Sequence, residues 1–427
     1  MKLNELKTLS LSAILILIVF LPSCRDGRQK AATNAEIVAK VDVSESNKVF
    51  DVDQIADLEK VIPLETVGDA LVGEIDKLEM DDNHIVILDK RMRAVWLFGT
   101  DGKFIRRIGC LGNGPKEYVS LDDMCFDKEN GTVWIWDRVK QVMLEYDLTG
   151  ELLKEVATGF SSNVFARTRN GFWLYYSYLK NPDNNSLILV NEEMDHLVKG
   201  FFPTKEPFPV SLTSGFTSWA GKEYFYFPLS NVLYSLEGTE VRPYIEFDFG
   251  ERTLPYSKIM NMSREEYETL VGSGTYLGGL NNIRLSDKYC FFRFSSTVQD
   301  KYVTAYYGVL DLKTSAVEVF SYLNVSDLLV DFSSLLCVTA NEELVYPIYP
   351  SKHNPIYYDE LRTLVPDVSE DSLWLALPYV FEWIAQKHHL SLDLPGNRKK
   401  YYFRLNNLMR SLSLHQFQAD LRMLSKT

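Results

Sequence analysis

The sequence lacks the short motifs that mark many enzymes. It contains no H-E-x-x-H helix, no G-x-S-x-G turn, no P-loop and no dinucleotide fingerprint after a strand. Its six histidines are scattered. The adjacent pair, His388 and His389, would point about 100° apart on a helix, which favours two solvated side chains over a joint metal site. We therefore expect a binding protein, while catalysis stays open.

Cysteine is also scarce. There are five cysteines in 427 residues, and none has the C-x-x-C spacing typical of zinc or redox sites. Cys110 and Cys125 are close enough in sequence to pair, but each also fits a buried apolar position, which we favour. We do not expect the fold to depend on disulfides.

Positive charge is in deficit. The 45 Lys and Arg residues face 58 Asp and Glu residues, a net charge of −13, which argues against a nucleic-acid partner. The segment 385–427 is the exception, with eight basic and two acidic residues, a net charge of +6. Such a segment can fold back on an acidic body, contact anionic lipid or remain a solvated helix.

Long apolar runs are missing as well. The run at residues 9–21 follows Lys2 and Lys7 and is shorter than the roughly 20 residues that span a bilayer, which predicts a signal peptide over 1–23. It ends in Leu-Pro-Ser-Cys24, which resembles a bacterial lipobox and implies acylation of Cys24; a plain secretory peptide is the alternative. Residues 24–54 are predicted to be the lipidated cysteine and a flexible tether.

What the sequence does contain is a repeat. The stretch IVILD at 85–89 recurs as VWIWD at 133–137, and residues 96–104 recur as 144–152, both at an offset of 48. Each copy predicts strands joined by tight Asp/Thr-Gly turns. The 294 residues from Ala56 to Tyr349 correspond to about six such copies. We therefore predict an all-β fold, a six-bladed β-propeller over residues 55–355.

A glycine-rich loop follows the first copy. Its pattern, G-x-x-G-x-G-P-x-E-Y, resembles a loop found between early blades in six-bladed β-propeller envelope lipoproteins related to NHL-repeat propellers. The resemblance is carried by Gly109, Gly112, Gly114, Pro115, Glu117 and Tyr118. It implies that the strand at 61–65 completes the last blade and closes the ring. No Lys-Ser/Thr follows Gly114, so we expect an interblade crossing held by Glu117 and Tyr118 rather than a phosphate site, although both residues could also face a ligand.

Two segments interrupt the strand pattern. Residues 257–271, with Ser263 as a candidate N-cap, predict a short inserted helix. From 356 to 427 the pattern predicts a helix-rich, basic C-terminal tail. The resembled family usually ends on a strand soon after its last blade, so this tail puts closure of the sixth blade in doubt.

Candidate ligand-binding residues are few. Tyr175, Tyr176 and Tyr178 lie beside a polar loop at 181–185 and could stack on a sugar or peptide, or could be blade packing. The acidic stretches 81–83 and 122–123 offer the oxygen ligands that calcium takes, but turn chemistry is the favoured interpretation, as it is for Asp89 and Asp137. No cofactor is predicted; Ca²⁺ or another divalent ion stays an option without assigned ligands.

The sequence as a whole predicts a lipid-anchored propeller of the bacterial cell envelope. We expect a ligand-binding or scaffold module that contacts the membrane through its N-terminal lipid and binds a glycan, peptide or envelope protein. The alternative is a divalent-metal-dependent enzyme, similar to a lactonase or lyase, with its site in the central channel. Convergence of three or more carboxylates or amides on the axis would favour the enzyme.

Overall fold

The computed structural model describes residues 34–44, 49–50, 62–68, 71–176, 184–203, 215–227, 230–253, 263, 265–266, 269–270, 275–296, 304–320, 322–323, 335–347 and 400–402. The chain divides into two compact units, Met1–Asn34 and Ala35–Thr427, and all of these residues except Asn34 belong to the second. The predicted signal peptide, Cys24 and most of the predicted tether lie outside the described residues. Within the described part, no helix is long and apolar enough to cross a membrane.

Three short strands precede the main sheets: β1 (Ile37–Lys40), β2 (Val49–Phe50) and β3 (Ile62–Leu64). The first full sheet, blade one, consists of β4 (Lys77–Met80), β5 (His84–Asp89), β6 (Ala94–Gly99) and β7 (Phe104–Ile108). The glycine-rich loop then forms a parallel pair, β8 (Cys110–Leu111) with β9 (Glu117–Tyr118).

Four further blades, each with four antiparallel strands, follow in chain order; β1 adds a fifth, parallel strand to the sheet of blade four. Blade two consists of β10 (Asp123–Asp127), β11 (Thr132–Asp137), β12 (Val142–Asp147) and β13 (Leu152–Ala157). Blade three consists of β14 (Val164–Thr168), β15 (Gly171–Tyr175), β16 (Asn185–Val190) and β17 (Leu197–Pro203). Blade four consists of β18 (Phe216–Trp219), β19 (Lys222–Tyr226), β20 (Val232–Glu237) and β21 (Glu240–Asp248), and blade five of β22 (Leu277–Leu285), β23 (Tyr289–Ser296), β24 (Thr304–Asp311) and β25 (Val317–Phe320).

The middle strands of these blades explain the aromatic and β-branched composition. Every residue of β11 is buried, as is every residue of β5 except His84. A strand that packs against a neighbouring blade on each face needs apolar side chains at consecutive positions rather than at alternate ones. The predicted all-β propeller is therefore confirmed, and its core consists of apolar layers between successive blades.

The 48-residue repeat is present in the structure as well as in the sequence. Val95 pairs with Ile108 across the outer strands of blade one, and Met143 pairs with Val156 at the same positions of blade two. A β-bulge interrupts both pairs of strands at matching places, between Leu97 and Phe98 and between Glu145 and Tyr146.

The predicted count of six blades is not supported, because the described residues form five four-stranded blades. The stretch predicted to be a sixth blade contains a hairpin, β27 (Cys337–Val338) with β28 (Leu344–Val345), besides the short β26 (Tyr322–Leu323). This hairpin packs on the apolar cluster of blade one, and Leu336 accepts a hydrogen bond from Arg284 of blade five at 2.7 Å. The hairpin therefore contacts both blade five and blade one.

Each of the three N-terminal strands pairs with a strand from a later part of the chain. β1 pairs in parallel with β21, the outer strand of blade four, β2 pairs in parallel with β26, and β3 pairs with β29 (Lys400–Tyr402). The segment predicted to complete the last blade therefore pairs with β29 instead, and Glu65 beside it bonds to the backbone of Gly102 and Phe104 in blade one.

The two predicted helical segments have different outcomes. In the inserted segment, the Ser263 hydroxyl accepts from the Glu266 N–H at 3.3 Å and the Glu266 carboxylate accepts from the Ser263 N–H at 2.7 Å. These reciprocal bonds are the capping box of a helix start. The helical tail over 356–427 is not supported, since the residues described there are the strand β29, and the others lie outside the described residues.

Candidate functional site at the propeller axis and the glycine-rich loop

The inner strand of each blade is a sheet edge whose backbone groups need partners. Blade one supplies them for blade two. Lys77 Nζ donates to the Met124 carbonyl at 2.6 Å, and the Glu79 carboxylate accepts from the Phe126 N–H at 3.0 Å. The two charged side chains thus cover the exposed edge of the next inner strand.

The same arrangement links blade two to blade three. Asp123 accepts from the Phe165 N–H at 2.9 Å, and Asp127 forms an ion pair with Arg167. The Arg167 guanidinium also lies over the Trp134 ring, 5.2 Å from its centroid. Charged groups near the axis therefore hold consecutive blades together.

Electrostatics at this cluster favour a charged lysine. Burial works against the ammonium, but the Asp123 carboxylate at 3.5 Å and the Glu79 carboxylate at 3.0 Å together raise the pKa of Lys77. Burial also raises the pKa of Asp123, an effect that Lys77 opposes. We take Lys77 to be charged, because two carboxylates and a carbonyl surround it.

Three further titratable groups interact with this cluster. Burial, and then the charge of Glu79, raises the pKa of Glu223 to about 8. Burial raises the pKa of Cys337 to about 12, and it raises that of Cys125 well above its usual value. Both thiols are therefore protonated near neutral pH, which makes them weak nucleophiles.

The carboxylates described at the axis are not gathered into a set of metal ligands. In the part of the chain that the structure describes, no group of three or more His, Cys, Asp or Glu side chains is placed to hold a metal ion. Glu79 and Asp123 bond to neighbouring inner strands instead.

Neighbouring side chains approach the backbone of the loop at 109–118 so closely that several positions have room only for glycine. A Cβ on Gly109, whose φ is +62°, would lie 2.9 Å from the Tyr146 ring. A Cβ on Gly112 would lie 1.9 Å from the Glu117 carboxylate, which accepts from the Gly114 N–H at 2.6 Å. Glu117 therefore organises the loop from inside, with Pro115 between the bonded residues.

The loop is also bonded to both adjacent blades. The buried Tyr118 donates its hydroxyl hydrogen to the Arg93 carbonyl of blade one at 3.1 Å. From blade two, Lys140 Nζ donates to the Glu117 carbonyl at 2.7 Å, and the Tyr146 hydroxyl donates to the Lys116 carbonyl at 3.0 Å. Glu117 and Tyr118 thus make structural contacts within an interblade crossing.

Most of the aspartates considered as metal ligands bond to turns or to the segments that enter the blades; Asp123, which begins β10, is the exception. Asp89 and Asp137 are buried, and each accepts from a backbone N–H of the chain that enters its blade, Gly73 at 2.5 Å and Val119 at 2.6 Å. Asp81 accepts from the His84 N–H at 2.6 Å within its own hairpin. At the second stretch, Asp122 pairs with Arg138 at 3.0 Å, whereas Asp123 belongs to the axis cluster.

Two of the three tyrosines considered for ligand binding take part in blade packing, which was the alternative interpretation. Tyr175 and Tyr176 are both buried. The Tyr175 ring packs 5.2 Å from that of Phe225 in blade four. Their faces are therefore not available to stack on a sugar, because the interblade layer covers them; Tyr178 lies outside the described residues.

Cys110 also departs from the prediction. It is exposed rather than buried, because it lies on the outward side of the glycine-rich loop, whereas Cys125 is partly buried. The four cysteines among the described residues are all free.

The axis cluster itself was missed from the sequence. Its signal is the alternation in β4, the inner strand of blade one, where Lys77 and Glu79 alternate with the more apolar Leu78 and Met80. A period of two predicts that the polar pair shares one face, but not that this face meets the edge of the next blade.

Fold and site together define a β-propeller in which side chains near the axis bond one blade to the next. The chain belongs to the family described as a domain of unknown function, DUF4934, which matches residues 36–372. No match is found among curated proteins.

Solved structures support the fold. The chain is similar to a Bacteroides fragilis protein described as exported, with 16% identity over 87% of this chain and 99% of that chain and a TM-score of 0.64. It is less similar to a DUF4221 family member from Bacteroides vulgatus (10% identity, 62% and 86% covered, TM-score 0.43) and to virginiamycin B lyase from Staphylococcus aureus (11%, 61% and 87%, 0.36). These likenesses concern the fold alone, and the last two are too weak to support an argument.

Proposed function

We propose that this protein is a lipid-anchored propeller of the bacterial cell envelope that acts as a ligand-binding or scaffold module. The observation that carries the proposal is the use of the axial charges. Lys77, Glu79 and Asp123 are bonded to the neighbouring inner strands, so they stabilise the ring rather than form a free catalytic set.

The connections between strands support a binding role. Successive strands of a blade run in opposite directions. The turns after the first and the third strand of a blade therefore lie at the same end, and the tight turns 100–103 and 238–239 are among them. The opposite end carries the connections between blades, including 109–122 and the 28 residues between Asp248 and Leu277. Long connections on a rigid scaffold are where recognition residues are usually found. The loop motif at 109–118 further supports an NHL-like propeller.

The proposed envelope location rests on the segment around Cys24 and agrees with a similar structure being described as exported. We expect Cys24→Ala to move the protein from the membrane fraction to the soluble fraction, because removing the acyl chains removes most of the apolar area that binds the bilayer. Cys110→Ala is the matched control, since it removes an exposed thiol elsewhere. Membrane retention of the Cys24→Ala protein would contradict the lipid anchor.

The binding function needs a separate experiment. The purified full chain carrying Cys24→Ala is screened against arrays of glycans and peptides, and its metal content is measured in parallel. Binding without a stoichiometric divalent metal supports the module. A stoichiometric metal together with turnover of a lactone would instead establish the enzyme alternative.

A further inference from the structure

Blade one carries a concentration of positive charge that its repeat partner lacks. Residues 90–108 contain six basic residues and one acidic residue, a net charge of +5. The equivalent residues of blade two, 138–156, contain three basic and four acidic residues, a net charge of −1. Because both segments form a turn and the two outer strands of a blade, the fold itself does not require the excess charge.

Arg107 is held in place and, among the described residues, has no ion-pair partner. It pairs across the outer strands of blade one with Trp96, and its guanidinium lies 5.8 Å from the Trp96 ring centroid and 6.0 Å from that of Tyr118. Its Nη2 donates to the Arg93 carbonyl at 2.7 Å and to the Tyr118 hydroxyl at 3.2 Å. Its Nε is buried without a hydrogen-bond partner.

Most of the neighbouring cations also lack a direct ion pair. Arg106 donates to the Thr149 carbonyl of blade two, and the hydrogen bond from the Thr149 hydroxyl and, to a lesser degree, the Arg106 charge lower the pKa of Asp147. Lys103 and Lys116 have ion-pair partners, Asp101 and Glu151. In contrast, within the described ranges no carboxylate lies within ion-pair distance of the following basic residues: Lys90, Arg91, Arg93, Arg106 and Arg107. An acidic protein has many carboxylates available, so this cluster is free to attract an external anion.

A simpler explanation is protection of an edge strand. β7 is the outer strand of its sheet, and charged side chains on such a strand oppose unwanted pairing. The explanation suits exposed residues such as Lys154 and Glu155, which occupy the equivalent positions of blade two. It does not account for Arg107, since a solvated charge would protect the edge without stacking on rings or burying Nε.

We propose that the outer edge of blade one, centred on Arg106 and Arg107, binds an acidic segment of a partner protein. A guanidinium donates charge-assisted hydrogen bonds to a carboxylate, and rings that hold the group in place lower the entropy lost on binding. This inference rests on the proposed binding function but not on the lipid anchor.

The surrounding side chains favour a protein segment over an anionic glycan. The exposed neighbours are aliphatic: Met92, Ile105 and Leu111 are 40%, 42% and 43% exposed. The aromatic rings at the site, Trp96 and Tyr118, are 4% and 0% exposed and so present no free face to a sugar. Arginine and methionine beside aliphatic groups are typical of protein interfaces.

The test measures binding by fluorescence anisotropy with the full chain carrying Cys24→Ala. The probe is a labelled glutamate-rich peptide with interspersed leucines, and its glutamine analogue and polygalacturonate are the comparison ligands. We expect Arg107→Gln to weaken binding of the glutamate peptide about tenfold or more, because a charge-assisted hydrogen bond is lost. Arg106→Gln weakens it about two- to fivefold, as an exposed charge does. Lys154→Gln, at the equivalent position of blade two, leaves it unchanged.

Each other outcome overturns the proposal. The proposal is wrong if the arginine variants bind the glutamate peptide as tightly as the wild type does. It is also wrong if the glutamine peptide binds equally well, or if polygalacturonate binds and the glutamate peptide does not. If Arg107→Gln does not fold, the double variant Arg91→Gln/Arg106→Gln alters only exposed residues and decides the matter. Failure here with a positive array screen would remove this site but leave the binding module in place.

Discussion

Replacing Asp137 tests whether the repeated aspartates hold each blade to the chain that enters it. Asp137 is buried, and its carboxylate accepts from Val119 N at 2.6 Å, Ser120 Oγ at 2.8 Å, Lys140 N at 2.9 Å and Val139 N at 3.0 Å. Three of these bonds go to Oδ1, and the Val119 bond goes to Oδ2. Asp137→Asn can therefore keep the three bonds to Oδ1, but it places the amide NH2 group opposite the Val119 N–H.

The expected cost of Asp137→Asn follows from that geometry. Losing one charge-assisted bond and facing a buried N–H with another donor costs about 2–4 kcal/mol of unfolding free energy. Asp137→Ala loses all four bonds, but the two turn donors can reach water, so we expect about 3–5 kcal/mol. The hydrogen bonds of the partly exposed Asp147 lie at a surface turn, so Asp147→Asn should cost no more than about 1 kcal/mol.

The unfolding free energies of the Asp137 and Asp147 variants are measured by urea unfolding followed through tryptophan fluorescence, because Trp134 and Trp136 are buried in the same blade. Equal unfolding midpoints for Asp137→Asn and Asp147→Asn would refute the anchoring role. Asp89→Asn provides a second check, since Asp89 makes the corresponding bond to Gly73 in blade one.

Two further predictions concern the axis and the loop. Because burial and Glu79 raise the pKa of Glu223 from 4.5 to about 8, its contribution to stability is present below pH 4.5 and is lost as the pH rises through 8. Glu223→Gln should reduce this loss of unfolding free energy, which is on the order of a few kcal/mol and is followed through the urea midpoint; an unchanged pH profile would contradict the assignment. Gly112→Ala places a Cβ 1.9 Å from the Glu117 carboxylate and should cost about 1–3 kcal/mol, whereas Gly159→Ala, with nothing within 4 Å, should cost little. Similar thermal midpoints for the two alanine variants would show that the loop accommodates the methyl group.

The propeller could be predicted because its first two blades repeat with one offset. The strands predicted at 85–89 and 133–137 lie within β5 and β11. The pairing of β6 with β7 also corresponds to that of β12 with β13 at an offset of 48 residues. Dividing the chain length by 48 failed to give the blade number, because this calculation counts the residues of long connections between blades as if they formed strands of a further blade. The 28 residues between Asp248 and Leu277 add length without adding a four-stranded sheet.

The side-chain environments were harder to predict. Tyr175 and Tyr176 precede a polar loop in sequence, a position that fits both ligand binding and blade packing. The structure buries them between blades, and sequence pattern does not show which residues a separate sheet will bury. The charges of Lys77 and Glu79 were likewise visible, but their partners lie 47 residues away in blade two. The turn roles of Asp89 and Asp137 were predicted correctly, because Asx chemistry is local.

The pairing of β1 with β21 has a consequence for the order in which the protein folds during its synthesis. Ile37 pairs with Ile245, so one of the first strands made must wait until more than 200 further residues have emerged. Closing so long a loop is entropically costly and comes after local hairpins have formed. Blades one to three can therefore assemble while β1 is still unpaired, and the buried Ala39 enters the layer between blades four and five as a late step.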